Sequence, residues 1–372
     1  QSGEGKESAV ILFWVLTAIL GFLLLVVIMN LISAPRMKNI PAELSSSPTV
    51  SVCIPARNEE HNIGNVLHSL LESSYRVMEI IVVDDHSTDT TAQVVSRLAE
   101  QDKRIRLIRG AEMPSGWKGK NFACFQAAGA ASGSVLLFLD ADVVLTPNAV
   151  RYALHTMEAK QCSMLSVFPT QSIRSFGEWL VVPLMNWLLL TFLPLRNVYA
   201  SPDPRFVAAN GQMIMIHRDL YNNIGTHQAF RDAVVEDMEI ARKVKRTGNR
   251  MITLTGGDAV YCRMYNGFAD AVNGFSKNFY AGFNSGKPGF FFMITFFLLL
   301  FWAPLFLIPA GTVYMIPVVL IMLSRAGVSC LSRQNIILNM LLHWIQMPLM
   351  FYIGLRSLTK KDVRWKGRII TS

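Results

Sequence analysis

An uncharged run from Val10 to Ile32, about 23 residues, constrains this chain most, because it is long enough to cross a bilayer with some tilt. It lacks the form of a cleaved signal: the apolar stretch is too long, and Pro35-Arg36-Met37-Lys38 follows where a small-residue cleavage site would stand. Further apolar blocks run from Phe290 to Leu323 and from Ile336 to Leu355. The expected order begins with an N-terminal tail at 1–8, opening Gln-Ser-Gly without an initiator Met and carried over from expression. A transmembrane helix at 9–33 and a linker at 34–48 follow, then a globular domain at 49–265. An amphipathic interfacial helix at 266–287, transmembrane segments at 288–356 and a basic tail at 357–372 close the chain.

The formal charge is +9, but the basic residues flank the apolar segments instead of forming a stripe with interleaved aromatics, so no nucleic-acid partner is expected. Arg36 and Lys38 follow the first span, and Lys360, Lys361, Arg364, Lys366 and Arg368 follow the last. By the positive-inside rule this is a multi-pass cell-membrane protein with its middle domain in the cytoplasm. Five dispersed cysteines without metal spacing fit reduced thiols. Span parity conflicts with the charge rule, since one span before the domain and three after it would put the basic tail outside. Either Phe290 to Leu323 is one broken span, or one segment is re-entrant; Pro304, Pro309, Gly311 and Pro317 permit both. Asn339, His343 and Gln346 leave the last block either packed inside the protein or lying at the interface.

After the Ser- and Pro-rich linker, short apolar runs alternate with helical stretches. Strands are expected at Val50 to Ile54, Glu79 to Val83 and Ile105 to Ile108, and helices at Ile63 to Ser73, Thr90 to Glu100 and Asn121 to Ala131. A fourth strand, Ser134-Val-Leu-Leu-Phe-Leu-Asp-Ala-Asp142, is apolar throughout and ends in two carboxylates. This is an α/β pattern with a mainly parallel central sheet covered on both faces. A dinucleotide-binding domain would need Gly-x-Gly-x-x-Gly after the first strand, where the chain reads Pro55-Ala-Arg-Asn-Glu-Glu60.

Acids at strand ends carry most of the chemistry. Asp140 and Asp142 stand where buried sheets bind ligands, and such a pair suits a hard divalent cation holding a diphosphate; solvated acids at a capped strand end are the alternative. In Val83-Asp84-Asp85-His86-Ser87-Thr88-Asp89, Asp89 reads as a helix-capping acid behind Ser87 or Thr88, and His86 as a hydrogen-bonded turn residue. Asp84 and Asp85 stay open between turn and ligand. Lys118 and Lys120, in Pro114-Ser-Gly-Trp-Lys-Gly-Lys120, open a helix whose N-terminus suits a diphosphate, or else decorate a solvated loop. Glu236 and Asp237 begin another helix, where adjacent positions should point in different directions; helix-dipole acids are the alternative to a general base.

Taken in order, Pro55 to Glu60, Asp84-Asp85, Lys118 to Lys120, Asp140-x-Asp142, Asn210-Gly211-Gln212 and Glu236-Asp237 resemble the family 2 glycosyltransferases of GT-A fold over Val50 to Tyr265. The Gly-Trp-Lys-Gly-Lys stretch, the Asn-Gly-Gln strand and Arg364-Trp365-Lys366-Gly367-Arg368 look like those of bacterial carotenoid and ceramide glucosyltransferases. The resemblance implies that Pro55, Ala56, Glu59 and Asp85 line the base and ribose of a nucleotide sugar, most simply a UDP-sugar. It puts Lys120 near the phosphates, Asp140 by the sugar or ribose, and Asp142 on Mg2+ or Mn2+. Asp237 would be the catalytic base, with Asn210, Gly211, Gln212 and Glu236 on the acceptor side. The Gln-x-x-Arg-Trp of processive and ceramide-type members does not follow Asp237; Arg364 and Trp365 supply only its last pair, either at the pyrophosphate or as a basic tail on anionic lipid.

The implied reaction is inverting, metal-dependent hexose transfer to a membrane lipid, with a processive polysaccharide synthase and an inactive membrane scaffold as alternatives. Trp179 to Leu195, and Gly267 to Phe283 with Phe268, Phe275, Phe279 and Phe283, read either as core or as interfacial helices that present a lipid or carotenoid acceptor from the bilayer.

Overall fold

The computed structural model describes residues 2–283, 285–359, 362–365 and 368–371, with the side chains of 2–6, 8, 9, 362–365 and 368–371 left aside. The chain divides into two compact units. One contains Pro35–Ser172 and Asn197–Met264. Its strands are β1 Val50–Ala56, β2 Glu79–Asp84, β3 Ile105–Arg109, β4 Val135–Leu139, β5 Val143–Leu145, β6 Met164–Phe168, β7 Thr170–Gln171, β8 Met213–His217, β9 Met251–Thr255 and β10 Val260–Cys262.

Seven of them form one sheet in the order β3-β2-β1-β4-β8-β6-β9, and only β8 runs antiparallel to its neighbours. β5, β10 and β7 form a small second sheet. The connections reverse direction between β1 and β4, so their carboxyl ends flank a switch point, where ligands bind in open α/β sheets. The expected strands and helices are present, with ends displaced by one to a few residues. β1, β2 and β4 are apolar and buried because helices cover both faces. Val50, Val52, Ile54, Ile80, Val82, Val135, Leu137 and Leu139 pack with Ile63, Val66, Leu67 and Leu70 of the helix Ile63–Leu71. Each such side chain contributes roughly 1.5–3 kcal/mol by leaving water. Register sets Ala56 beside Asp84, which carries Asp85 to the sheet's rim, while Leu139 beside Met213 carries Asp140 there from the other side.

The other unit gathers residues 2–34, Ile173–Arg196 and Tyr265–Val363. Four of its helical segments are long and apolar enough to cross a membrane: Val10–Ser33, Gly286–Ala310, Thr312–Leu331 and Ile336–Thr359. The block Phe290 to Leu323 falls on two helices, Gly286–Leu307 and Ile316–Leu331. Gly311, at φ +143°, separates them between short 3-10 turns, and the second runs on to Leu331. Residues 173–196, expected inside the globular domain, belong to this helical unit. Asn30, fully buried, donates to the carbonyls of Leu190 and Leu193 and accepts from the amide of Leu195, while Trp187 and Leu190 are buried. Asn339, His343 and Gln346 pack inside the unit, with Gln346 donating to the carbonyl of Trp179 at 2.8 Å. The helix Phe268–Asn278 is amphipathic: Phe275 is buried and Phe268 is exposed, and Phe279 just beyond it is also buried.

Candidate active site

The loop after β1 and the turn after β2 are interlocked. The Asp85 amide donates to the carbonyl of Ala56 at 2.8 Å, Asn58 accepts from the Thr88 amide, and Glu60 accepts from the amide and hydroxyl of Thr90. Asp84 is the turn-former, since it is buried and accepts from the Ser87 amide, which leaves Asp85 half-exposed at the rim. The helix Thr91–Gln101 begins later than expected: Asp89 accepts from the amide and hydroxyl of Thr91, so it caps, but Thr90 takes the N-cap place. His86 is a turn residue at φ +55°, with its ring against the carbonyl of Ala111. Glu59 is buried beside Asn62, to which its carboxylate is hydrogen-bonded, and Pro55 is half-buried at the end of β1.

Opposite this rim, one ammonium gathers the acids. Lys118 is the N-cap of the helix Gly119–Ala130, so Lys120 lies in its first turn. Its Nζ stands 2.8 Å from Asp140 Oδ1, 3.5 Å from Glu236 Oε1, and donates to the carbonyl of Gly211 at 3.2 Å. Asp237 accepts from the Gly211 amide through Oδ2 at 2.7 Å and from the Met238 amide through Oδ1 at 2.8 Å. Gly211 therefore binds the cation by its carbonyl and the carboxylate by its amide. A Cβ there would sit 2.9 Å from Lys120 Nζ and 3.2 Å from Glu236 Oε1, so glycine is needed for the close approach. The expectation that Glu236 and Asp237 diverge fails at a helix's first residues, where both carboxylates converge on Gly211.

Electrostatics separates these groups. Burial, and then the charge of Glu236, push Asp237 up to about 7 against the pull of Lys120 and two amides. Burial works against the Lys120 charge, but Asp140 and Glu236 outweigh it and hold the ammonium well above its ordinary range. A half-buried carboxylate near neutrality beside a permanent cation has the character of a general base.

Residues 51–231 match the family described as glycosyl transferase family 2. The chain carries a family 2 glycosyltransferase domain. It is 27% identical over 256 residues to a 4,4'-diaponeurosporenoate glycosyltransferase of Staphylococcus haemolyticus, covering 68% of this chain and 66% of that protein. The protein of that name from Staphylococcus aureus is 28% identical over 245 residues, covering 64% of this chain and 63% of its own. These matches span just under two thirds of the relatives' lengths. Among solved structures, a mannosyltransferase from Pyrobaculum calidifontis in complex with GDP-Man and Mn2+ aligns at a TM-score of 0.50 and 17% identity, over 92% of this chain and 99% of that one. The likeness establishes a GT-A-like fold.

Within the glycosyltransferase domain, the residues present fit a cation shared with substrate. Among the described residues no cluster of three or more His, Cys, Asp or Glu would hold a metal by itself. Asp140 and half-buried Asp142 supply two carboxylates, the number with which Mg2+-like ions are bound when phosphates complete the shell. Asp142 and Asp140 both add to burial in pushing the Cys262 thiol up, so their negative charge reaches into the wall behind them.

Asn210 and Gln212 are spent on the fold. Asn210 Nδ2 donates to Gln212 Oε1 at 3.1 Å, Gln212 donates to Cys262 Sγ, and Gln212 is buried. They support the wall that Gly211 presents. The side chains of Arg364 and Trp365 lie outside the described residues, as do Lys366 and Gly367.

Sequence reasoning missed Asn121. This buried amide donates to the carbonyls of Phe230, Arg231 and Ala233, and the Lys118 amide adds a bond to Arg231, so the lysine helix is fastened to the loop that precedes Glu236. Its only trace in the sequence is its place directly after Lys120.

Proposed function

We propose that this chain transfers a hexose, with inversion, from a nucleotide diphosphate sugar to a lipid acceptor at the cytoplasmic face of a membrane. The observation that carries the reading is Asp237, lifted toward neutrality and anchored through Gly211 to the Lys120–Asp140 pair at the carboxyl end of the sheet. Asp85, Ala56, Pro55 and Glu59 border the nucleotide. Asp140 and Asp142 face the diphosphate, where Mg2+ or Mn2+ would be held by Asp142 and would offset charge on the leaving group. Lys120 adds a second positive charge there. Asp237 accepts the proton of the acceptor hydroxyl or carboxyl as its oxygen attacks the anomeric carbon, with Glu236 alongside holding the local charge balance.

A lipid acceptor is supported by the names of the Staphylococcus relatives, which specify a carotenoid carboxylate, and by the membrane-length helices. We read those helices as spans, with Phe176–Val181, Pro183–Phe192 and Phe268–Asn278 near the headgroups. Arg364 and Trp365 at the pyrophosphate belong to the same proposal.

The test is mass spectrometry of lipid extracts incubated with purified protein, Mn2+ and a panel of nucleotide sugars. A single hexose added to one lipid class is the expected result. A polymer, or no product with any donor, would overturn the reading.

A further inference from the structure

The helix that carries Asp237 also buries a lysine at its far end. Lys245 is 6% exposed, and its Nζ donates to the carbonyls of Ser201 at 2.8 Å, Asp203 at 3.4 Å and Phe206 at 2.6 Å. An ammonium has three hydrogens to give, and all three go to one loop. Among the described residues it has no carboxylate within ion-pair distance, because the Asp203 carboxylate is turned to Arg205 at 2.7 Å. Burial accordingly pushes Lys245 down to about 8, with the Asp203 charge pulling it back. Burying an ammonium against neutral carbonyls is unfavourable next to an apolar side chain of the same length, so the residue's contribution lies in the loop shape it dictates.

That loop runs straight into the active site. From Ser201 to Phe206 it is held by Lys245. Beyond it Val207, Ala208 and Ala209 are buried, the Ala209 amide is hydrogen-bonded to Met238 Sδ, and the Gly211 amide donates to Asp237. The segment 201–211 is thus tied to one helix at two places, its first turn and its last, about 12 Å apart at 1.5 Å per residue. Since Asp237 takes its proton from the acceptor, whatever runs beside Asp237 borders the acceptor, and the donor's nucleotide belongs on the Asp85 side.

We infer that Lys245 is a positioning residue which, by clamping Ser201–Phe206 to the base-bearing helix, sets the acceptor wall of the site without touching substrate. The inference deepens the proposed function and rests on it. Lys245→Met keeps the length and apolar stem but removes all three bonds. The enzyme is assayed with UDP-glucose, Mn2+ and 4,4'-diaponeurosporenoate in detergent micelles.

The expected result is an acceptor KM raised about tenfold or more, with UDP affinity in Mn2+ unchanged within twofold by titration calorimetry and partial recovery in Lys245→Arg. Should the Met variant fail to fold, a Pro202→Gly/Pro204→Gly double variant loosens the same loop from its own side, and the same rise in acceptor KM is expected. An unchanged acceptor KM in either folded variant, or equal losses of UDP affinity and acceptor KM, overturns the inference. Wild-type protein that makes no glycosylated lipid, either from this pair or from lipid extract with any donor of the nucleotide-sugar panel, sinks the underlying function and the clamp that rests on it. Active wild type with insensitive variants sinks only the clamp.

Discussion

At the amino ends of β1 and β2 the domain buries Glu79, and at the opposite, carboxyl end of the same sheet it keeps Asp237. Burial raises both, but the outcomes are opposite. Glu79 accepts from the hydroxyls of Ser51 and Ser132, the Ser132 amide and Arg106, and these bonds more than offset burial and lower its pKa. Asp237 has two amides but faces Glu236, and it ends near neutrality. A fully satisfied carboxylate holds a fold together, whereas one crowded by a second acid is poised to move a proton. If the two ends differ in this way, a substitution at one should change turnover and at the other should change stability.

The largest effect is expected from Asp237→Asn, which keeps an acceptor oxygen for the Gly211 amide but removes the proposed base. Turnover should fall by about 10²–10⁴-fold while UDP affinity stays within twofold, and activity with normal turnover would remove Asp237 from the mechanism. Below pH 7 the wild-type rate should drop about tenfold per unit as Asp237 takes up its proton, and the Asn variant should lose that limb. Next comes Asp142→Asn, expected to lose about 100-fold in rate and its response to added Mn2+, as chelation of the wild type should. Mn2+ binding followed by electron paramagnetic resonance checks this without relying on activity.

Gly211→Ala probes the link between Lys120 and Asp237. The added methyl meets Lys120 Nζ and Glu236 Oε1, and since the lysine end can shift, the fold should survive. A rate loss on the order of 10- to 100-fold is expected from the displaced cluster, with a melting temperature close to wild type. A wild-type rate would mean that the Lys120–Gly211–Asp237 chain has no part in catalysis.

How much of this was legible depends on whether a residue's role is local. The strand ending in Asp140 and Asp142 could be read from sequence because a strand buried on both faces must be apolar until it leaves the sheet. The domain's place between apolar ends was equally plain. The choice of Lys120 over Lys118 came from the family resemblance alone, because residue chemistry does not say which lysine becomes the N-cap and which turns inward two residues later. Asn121 and Lys245 were invisible, since both donate to carbonyls of loops more than 35 residues away in the chain, and carbonyls carry no sequence signal. Asn210 and Gln212 were expected on the acceptor side, but their side chains are bonded to each other and to the thiol of Cys262, which makes them supports of the Gly211 wall, a pairing no spacing in the sequence announces.

The smallest expected effect on turnover, and the sharpest test of the contrast, is Glu79→Gln. Gln keeps one acceptor but forfeits charge-assisted bonds from Ser51 and Ser132, which should cost about 1–3 kcal/mol of stability and leave turnover within about twofold. Arg106 is half-exposed, so its ion pair contributes little of that. The pH dependence separates the two acids further. Glu79 is lower in the folded than in the unfolded chain, so its stabilisation is present above the ordinary glutamate range and is lost as pH falls through the folded value. Asp237 is higher, so its contribution is complete below the ordinary aspartate range and is lost as pH rises through about 7. Between about pH 5 and pH 8 the melting temperature of Asp237→Asn should therefore climb relative to wild type, while the deficit of Glu79→Gln stays constant and closes only in acid. Parallel curves for the two variants would mean that both carboxylates merely hold the sheet, and the division between its ends would be wrong.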